Sequence, residues 1–194
     1  MDDLSKIKSI LDEATAVKKA VAEDSDLHNK MQEAANAWAN CLKNGGKVLF
    51  CGNGGSAADA QHLAAELSGR FYHDRDPLFA EALHVNTFYL TAVANDYSYD
   101  DIYSRLIIAK GRPGDVLVGL STSGNSGNVV RAMEQAKKQD MINVALTGRG
   151  GGKMADLADI LIEVPSNDTP RIQELHITIG HINGQLVEKQ MMAE

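Results

Sequence analysis

Val48-Leu49-Phe50-Cys51-Gly52-Asn53-Gly54-Gly55-Ser56 decides the fold. The unbroken apolar run Val48 to Cys51 reads as a short strand covered on both faces. The glycine-rich stretch after it reads as a loop, and a helical pattern then continues to about Leu67. The same grammar recurs downstream. Asp115-Val116-Leu117-Val118-Gly119-Leu120 reads as a strand, Ser121-Thr122-Ser123-Gly124-Asn125-Ser126 as a loop, and Val129 to Ala136 as a helix. Ile142 to Thr147 and Ile160 to Val164 add two strands, and Ala80 to Leu83 a weak one. Thr87 to Val93, Asp101 to Ala109 and a short piece near Met154 to Leu157 read as helical. Short apolar runs alternating with helices predict an α/β fold, a flavodoxin-like three-layer arrangement around a five-stranded parallel sheet. The strand order expected for it is 2-1-3-4-5.

Helical stripes flank this core. Leu4, Ile7, Ile10, Leu11, Ala14, Val17 and Val21 recur at three- and four-residue steps. Asp24-Ser25-Asp26 reads as a break and a new cap, and Leu27 to Leu42 carries a second stripe ended by Gly45-Gly46. At the other end, Thr169 reads as an N-cap and Pro170 as the first helical residue of a long C-terminal helix. The expected organisation is one domain over residues 1–194. Residues 1–45 supply two leading helices, and residues 46–194 the core and the long terminal helix. There is no internal repeat or low-complexity tract.

Composition bounds the function. The 194 residues carry 19 Lys and Arg against 26 Asp and Glu, a net charge of −7. That argues against a dedicated nucleic-acid or anionic-membrane partner, both of which favour a basic face. Two cysteines are too few for a disulfide framework, and no apolar run is long enough to span a bilayer. Met1-Asp2-Asp3-Leu4 lacks the basic and apolar regions of a secretion signal, so the cytoplasm is the expected location.

Ligands of parallel α/β sheets bind beyond the carboxyl ends of the strands, where both polar loops fall. The second loop offers hydroxyls at Ser121, Thr122, Ser123 and Ser126, a density suited to a phosphomonoester. No Lys-Ser or Lys-Thr follows the glycines, so neither loop is a nucleotide P-loop, and the first lacks dinucleotide spacing. Ordinary strand-to-helix turns use the same residue types, and two such loops on adjacent strands tip the reading toward a site. His62 and Glu66 are one helical turn apart, which suits a shared metal ion, a base with its partner, or a solvated surface pair. His181 lies in the terminal helix, where a core histidine is the ordinary reading. Gln173 is eight residues before it, about 12 Å along a helix. To serve one ion together they must lean toward each other or come from neighbouring subunits. Asn95-Asp96 reads as a helix end or a site, and Gly148 to Gly152 as a turn.

Larger motifs carry a resemblance. Cys51 to His62, Ala65-Glu66-Leu67-Ser68-Gly69-Arg70, Ala94-Asn95-Asp96-Tyr97, Gly119 to Ser126 and Thr169-Pro170-Arg171-Ile172-Gln173-Glu174 resemble bacterial phosphoheptose isomerases of the SIS (sugar isomerase) superfamily. The resemblance covers essentially the whole chain. It implies isomerisation of sedoheptulose 7-phosphate to D-glycero-D-manno-heptose 7-phosphate through an ene-diol(ate), the first step toward nucleotide-activated heptoses such as those of lipopolysaccharide. It implies substrate contacts at Asn53, Gly54, Gly55, Ser56, Glu66, Asn95, Asp96, Ser121, Thr122, Ser123, Ser126 and Gln173. Glu66 and His181 become the acid–base pair, and His62, Glu66, Gln173 and His181 the ligands of one Zn2+ per subunit. It also implies a homotetramer. Where relatives carry Asp-Thr-Ser after the second strand, this chain reads Asn86-Thr87-Phe88, losing a charge and a hydroxyl near the sugar. The rival within the superfamily is a non-enzymatic protein that binds the replication initiator or senses a sugar phosphate. Such a binder has no chemical use for Glu66 with His181.

Overall fold

The computed structural model describes residues 2–192. Two helices lead, α1 (Asp3–Glu23) and α2 (Ser25–Lys43). The Asp2 carboxylate accepts the Ser5 N–H at 2.7 Å and the Asp24 carboxylate the Leu27 N–H at 2.9 Å. Each thereby satisfies a donor that helix geometry leaves free. Asp24 alone separates the helices. Gly45, at φ 74°, turns the chain toward the sheet.

The remaining elements follow the expected alternation. They are β1 (Val48–Gly52), α3 (Gly55–Ser68), β2 (Ala80–Ala82), α4 (Thr87–Asp96), α5 (Ile102–Lys110), β3 (Val116–Ser121), α6 (Gly127–Lys138), β4 (Ile142–Thr147), β5 (Ile160–Glu163) and α7 (Thr169–Met191), with 3-10 turns at Tyr99–Asp101 and Gly152–Leu157. The strand order is β2-β1-β3-β4-β5 and every pairing is parallel. The predicted architecture is therefore observed. One expectation is corrected. Asp168, with extended backbone at φ −90°, is the N-cap of α7, so Thr169 is its first helical residue and Pro170 follows within the first turn.

Side chains alternate across each strand, and two cores result. Val48, Phe50, Val116, Val118, Val144 and Leu146 join Trp38 of α2, Leu63 and Leu67 of α3, and Ile172, Leu175 and Ile179 of α7. Trp38 meets Phe50 edge-on, ring centroids 5.3 Å apart. Leu49, Cys51, Leu117 and Ala145 face the other way, against Tyr103 and Ile107 of α5 and Val129 and Met133 of α6. Burial on both faces explains why these strands read as continuous apolar runs. Burial also pushes the Cys41 thiol up to about 11 and the Cys51 thiol up to about 12. Both are free, protonated and inert at neutral pH.

The core lies away from α1, whose one buried residue is Val21. Among the described residues, no helix is long and apolar enough to cross a membrane. Chain order reverses between β1 and β3, and the crevice beyond their carboxyl ends receives both polar loops.

Candidate active site

The first loop is shaped by close packing. A Cβ on Gly52 would stand 2.6 Å from the Ser56 carbonyl oxygen, so only glycine lets the turn close. Gly54, at φ 55°, caps α3, and the turn closes on itself, the Ser56 N–H donating to the Asn53 carbonyl at 3.0 Å and the Ala57 N–H to the Gly54 carbonyl at 3.1 Å. Tyr103 donates its hydroxyl to the Gly52 carbonyl and holds the loop from below.

The second loop leads into α6. The Ser121 and Ser126 hydroxyls are 2.8 Å apart, and the Ser123 hydroxyl accepts the Asn125 N–H at 3.2 Å. Thr122 and Ser123 stand between them on the same turn. The glycine cluster after β4 supports this loop from behind. Gly148 donates to the Thr122 carbonyl at 3.0 Å and Met154 to the Gly124 carbonyl at 3.0 Å. A Cβ on Gly124 would come within 2.0 Å of the Gly151 oxygen. The turn read at Gly148 to Gly152 is thus also a buttress.

The two loops are joined. Asn53 and Asn128 exchange side-chain hydrogen bonds, both 2.8 Å, and the Tyr99 hydroxyl donates to Asn53 Oδ1 at 3.1 Å. Asn95 and Asp96 bond each other at 2.9 Å on the exposed last turn of α4. The described hydrogen bonds tie them to no other candidate.

Farther along α3, His62 and Glu66 meet His181 of α7. His62 Nε2 is 3.0 Å from Glu66 Oε1 and 3.2 Å from His181 Nε2. The ordinary reading of His181 as a core histidine does not hold, because its ring faces this group across α3. The helices run side by side because Gly180 has no side chain. A Cβ there would strike Leu63 at 2.4 Å. Gln173 reaches the start of α3, where its amide would be 2.7 Å from a Cβ on Gly55. Phe71 stacks on the His181 ring at 5.7 Å and 25°. Asp59, one turn before His62, has an Oδ2 with no protein partner. Burial raises its carboxyl to about 6, against the opposing influence of His62.

The ligand atoms of His62, Glu66 and His181 all lie within 4.8 Å of one another. A tetrahedral ion with ligand bonds of about 2.0–2.1 Å holds two nitrogens about 3.3 Å apart, so the observed 3.2 Å fits a metal site. Two histidines and a carboxylate are also a donor set that leaves a coordination position open.

The sequence pattern of the SIS domain matches residues 10–148. The chain is 59% identical over 156 residues to the phosphoheptose isomerase of Rhodospirillum rubrum, covering 80% of this chain and 83% of that protein. It is 49% identical over 183 residues to that of Aneurinibacillus thermoaerophilus, covering 94% and 92%. The solved phosphoheptose isomerase from Neisseria gonorrhoeae superposes with a TM-score of 0.90 at 43% identity, over 96% of this chain and 98% of that one. The Francisella tularensis enzyme superposes at 0.93 with 37% identity, over 97% and 100%.

The chain belongs to the phosphoheptose isomerases.

In this phosphoheptose isomerase family member, Asp59, Phe71, Tyr99 and Asn128 adjoin the candidate residues without having been singled out from sequence. Asp59 had a signal, since it precedes His62 by three residues on one helix face. The others had none, because their partners are distant in the chain. Phe88, the departure noted after the second strand, is 89% exposed at the start of α4.

Proposed function

We propose that this site interconverts sedoheptulose 7-phosphate and D-glycero-D-manno-heptose 7-phosphate by proton transfer between adjacent carbons. The observation that carries the reading is the convergence of Glu66 with His62 and His181 on a chain that also bears two linked anion loops. Glu66 takes the proton from the hydroxylated carbon beside the ketone. The C–H electrons form the carbon–carbon double bond, and the ketone oxygen gains a proton from His181, giving the ene-diol(ate). His181 then receives the proton of the other hydroxyl, and Glu66 returns its proton to the former ketone carbon. A carboxylate and an imidazole carry these steps near neutral pH.

Asn53, Gly54, Gly55, Ser56, Ser121, Thr122, Ser123 and Ser126 hold the phosphate and sugar oxygens through N–H and hydroxyl groups. Asn95, Asp96 and Gln173 line the sugar. Binding energy from the phosphate, remote from the reacting carbons, holds the substrate in a reactive pose. The group formed by His62, Glu66 and His181, with Gln173 as fourth member, is the proposed place of one Zn2+. Zinc there would polarise the substrate's carbonyl and hydroxyl oxygens.

The apolar surface of α1 supports assembly into a homotetramer. The free, buried thiols suit the cytoplasm. The initiator-binding or sensing reading is not favoured, because the relatives carry an isomerase name and this chain keeps Glu66 and His181.

The test is turnover of sedoheptulose 7-phosphate by purified protein, followed by appearance of the aldose. Glu66→Gln and His181→Gln are each expected to lose at least about 1,000-fold in kcat while keeping the assembly state. Full activity in either variant removes the mechanism. Inactivity of the wild type, with and without added zinc, favours the binder.

A further inference from the structure

One chain of hydrogen bonds determines which end of the Asn53 amide is free. Asn128, the second residue of α6, is 1% exposed. Its Oδ1 accepts the Val129 N–H at 2.9 Å. A backbone N–H can only donate, so the atom it meets is the carbonyl oxygen and the amide of Asn128 has one orientation. That oxygen also accepts from Asn53 Nδ2, and Asn128 Nδ2 donates back to Asn53 Oδ1, both at 2.8 Å. The pair is a closed ring of two amides bridging positions 75 residues apart. The Tyr99 hydroxyl takes the remaining lone pair of Asn53 Oδ1 at 3.1 Å. Both acceptor sites of Asn53 and one amide hydrogen are then engaged. The hydrogen trans to its carbonyl oxygen has no protein partner among the described residues.

The geometry points to Asn128, assisted by Tyr99, as a positioning residue that locks Asn53 as a pure hydrogen-bond donor in the substrate site. The loop after β1 thereby offers an N–H to an oxygen acceptor, of the kind a phosphate or a carbonyl carries. The lock also ties this loop to the start of α6, so the two anion loops keep one spacing. Without Asn128, the Asn53 amide is free to flip and present its carbonyl to the ligand. The inference rests on the proposed sugar-phosphate reading and adds to it a residue that need not touch substrate.

The test is a double-mutant cycle on kcat/KM and on calorimetric binding of sedoheptulose 7-phosphate, using Asn53→Ala, Asn128→Ala and the double variant. Asn128→Ala is expected to lose about tenfold in kcat/KM, and the double variant to be no worse than Asn53→Ala alone. Asn128→Asp keeps the acceptor for Val129 and the shape of the side chain, but cannot donate to Asn53 Oδ1. It is expected to show at least the same loss in kcat/KM together with a lowered melting temperature, and the double-mutant cycle, which scores only the coupling to Asn53, separates positioning from folding. Tyr99→Phe is expected to lose less. Wild-type kcat/KM in both Asn128 variants, or a full additional loss in the double variant, overturns the inference. A wild type that binds the sugar phosphate without turning it over sinks the proposed function alone, and the binding cycle then decides for Asn128. A wild type that neither binds nor turns it over overturns both.

Discussion

His176 shows how one buried side chain sets a pH limit. It is fully buried, with Nε2 3.2 Å from the Thr147 carbonyl oxygen. Burial pushes its pKa down to about 4, only partly offset by that hydrogen bond. Between about 6.5 and 4 the unfolded chain binds a proton there and the folded chain does not, so stability falls as pH falls through that window. The full swing is about 3 kcal/mol by the linkage relation. Urea unfolding from pH 7 to 4.5 is expected to show the decline, and His176→Gln to flatten it. An equal decline in that variant would assign the effect to other groups. His176 carried no readable signal in sequence, because its neighbours come from β4, across the core. Ser121, Thr122, Ser123 and Ser126 were legible because loop chemistry is local.

Elements hold the site through their ends. Arg75 sits in the strap between α3 and β2 and donates to the carbonyls of Glu66 and Leu67, both at 2.9 Å. It thus satisfies the end of α3 with a cation. Its Nε meets Glu188 of α7 at 3.2 Å, and that carboxylate also accepts the Tyr72 and His73 N–H groups. The strap carries Phe71 onto His181. Arg75→Ala leaves Glu188 buried without its cation and is expected to cost about 3–5 kcal/mol in urea unfolding. Arg75→Lys should restore little, because lysine lacks the planar fork. At the second loop, Gly124→Ala collides with Gly151. It is expected to raise KM for the sugar phosphate by about tenfold or more, with a smaller change in kcat. Equal losses in both constants would argue that the loop serves the chemical step instead.

At the scale of the molecule, one chain leaves a face uncovered. Leu4, Ile7 and Leu11 of α1 are 78%, 54% and 61% exposed. Beside them, Val21, Met31, Leu175 and Ile182 line a groove between α1, α2 and α7. A row of this kind is costly in water and favours a second copy of the chain. Light scattering is expected to give about four times the 20.9 kDa chain mass, and Leu11→Lys to lower it. A wild-type monomer at micromolar concentration would leave the α1 face without that role.

The sequence by itself determined the alternation of strands and helices, the parallel sheet and the two polar loops after β1 and β3. Each is written in local periodicity and local chemistry, which survive without the rest of the chain. It also placed His62 and Glu66 on one helix face. Periodicity left His181, 119 residues from His62, open to a core role; the family resemblance implied that it joins them, and the tertiary structure shows the contact. It alone paired Asn53 with Asn128 and Arg75 with Glu188. Those meetings depend on α7 lying against α3 through Gly180 and Leu63, and on the order of strands in the sheet. Packing of distant segments follows from the shapes of whole surfaces, which no short stretch of sequence encodes.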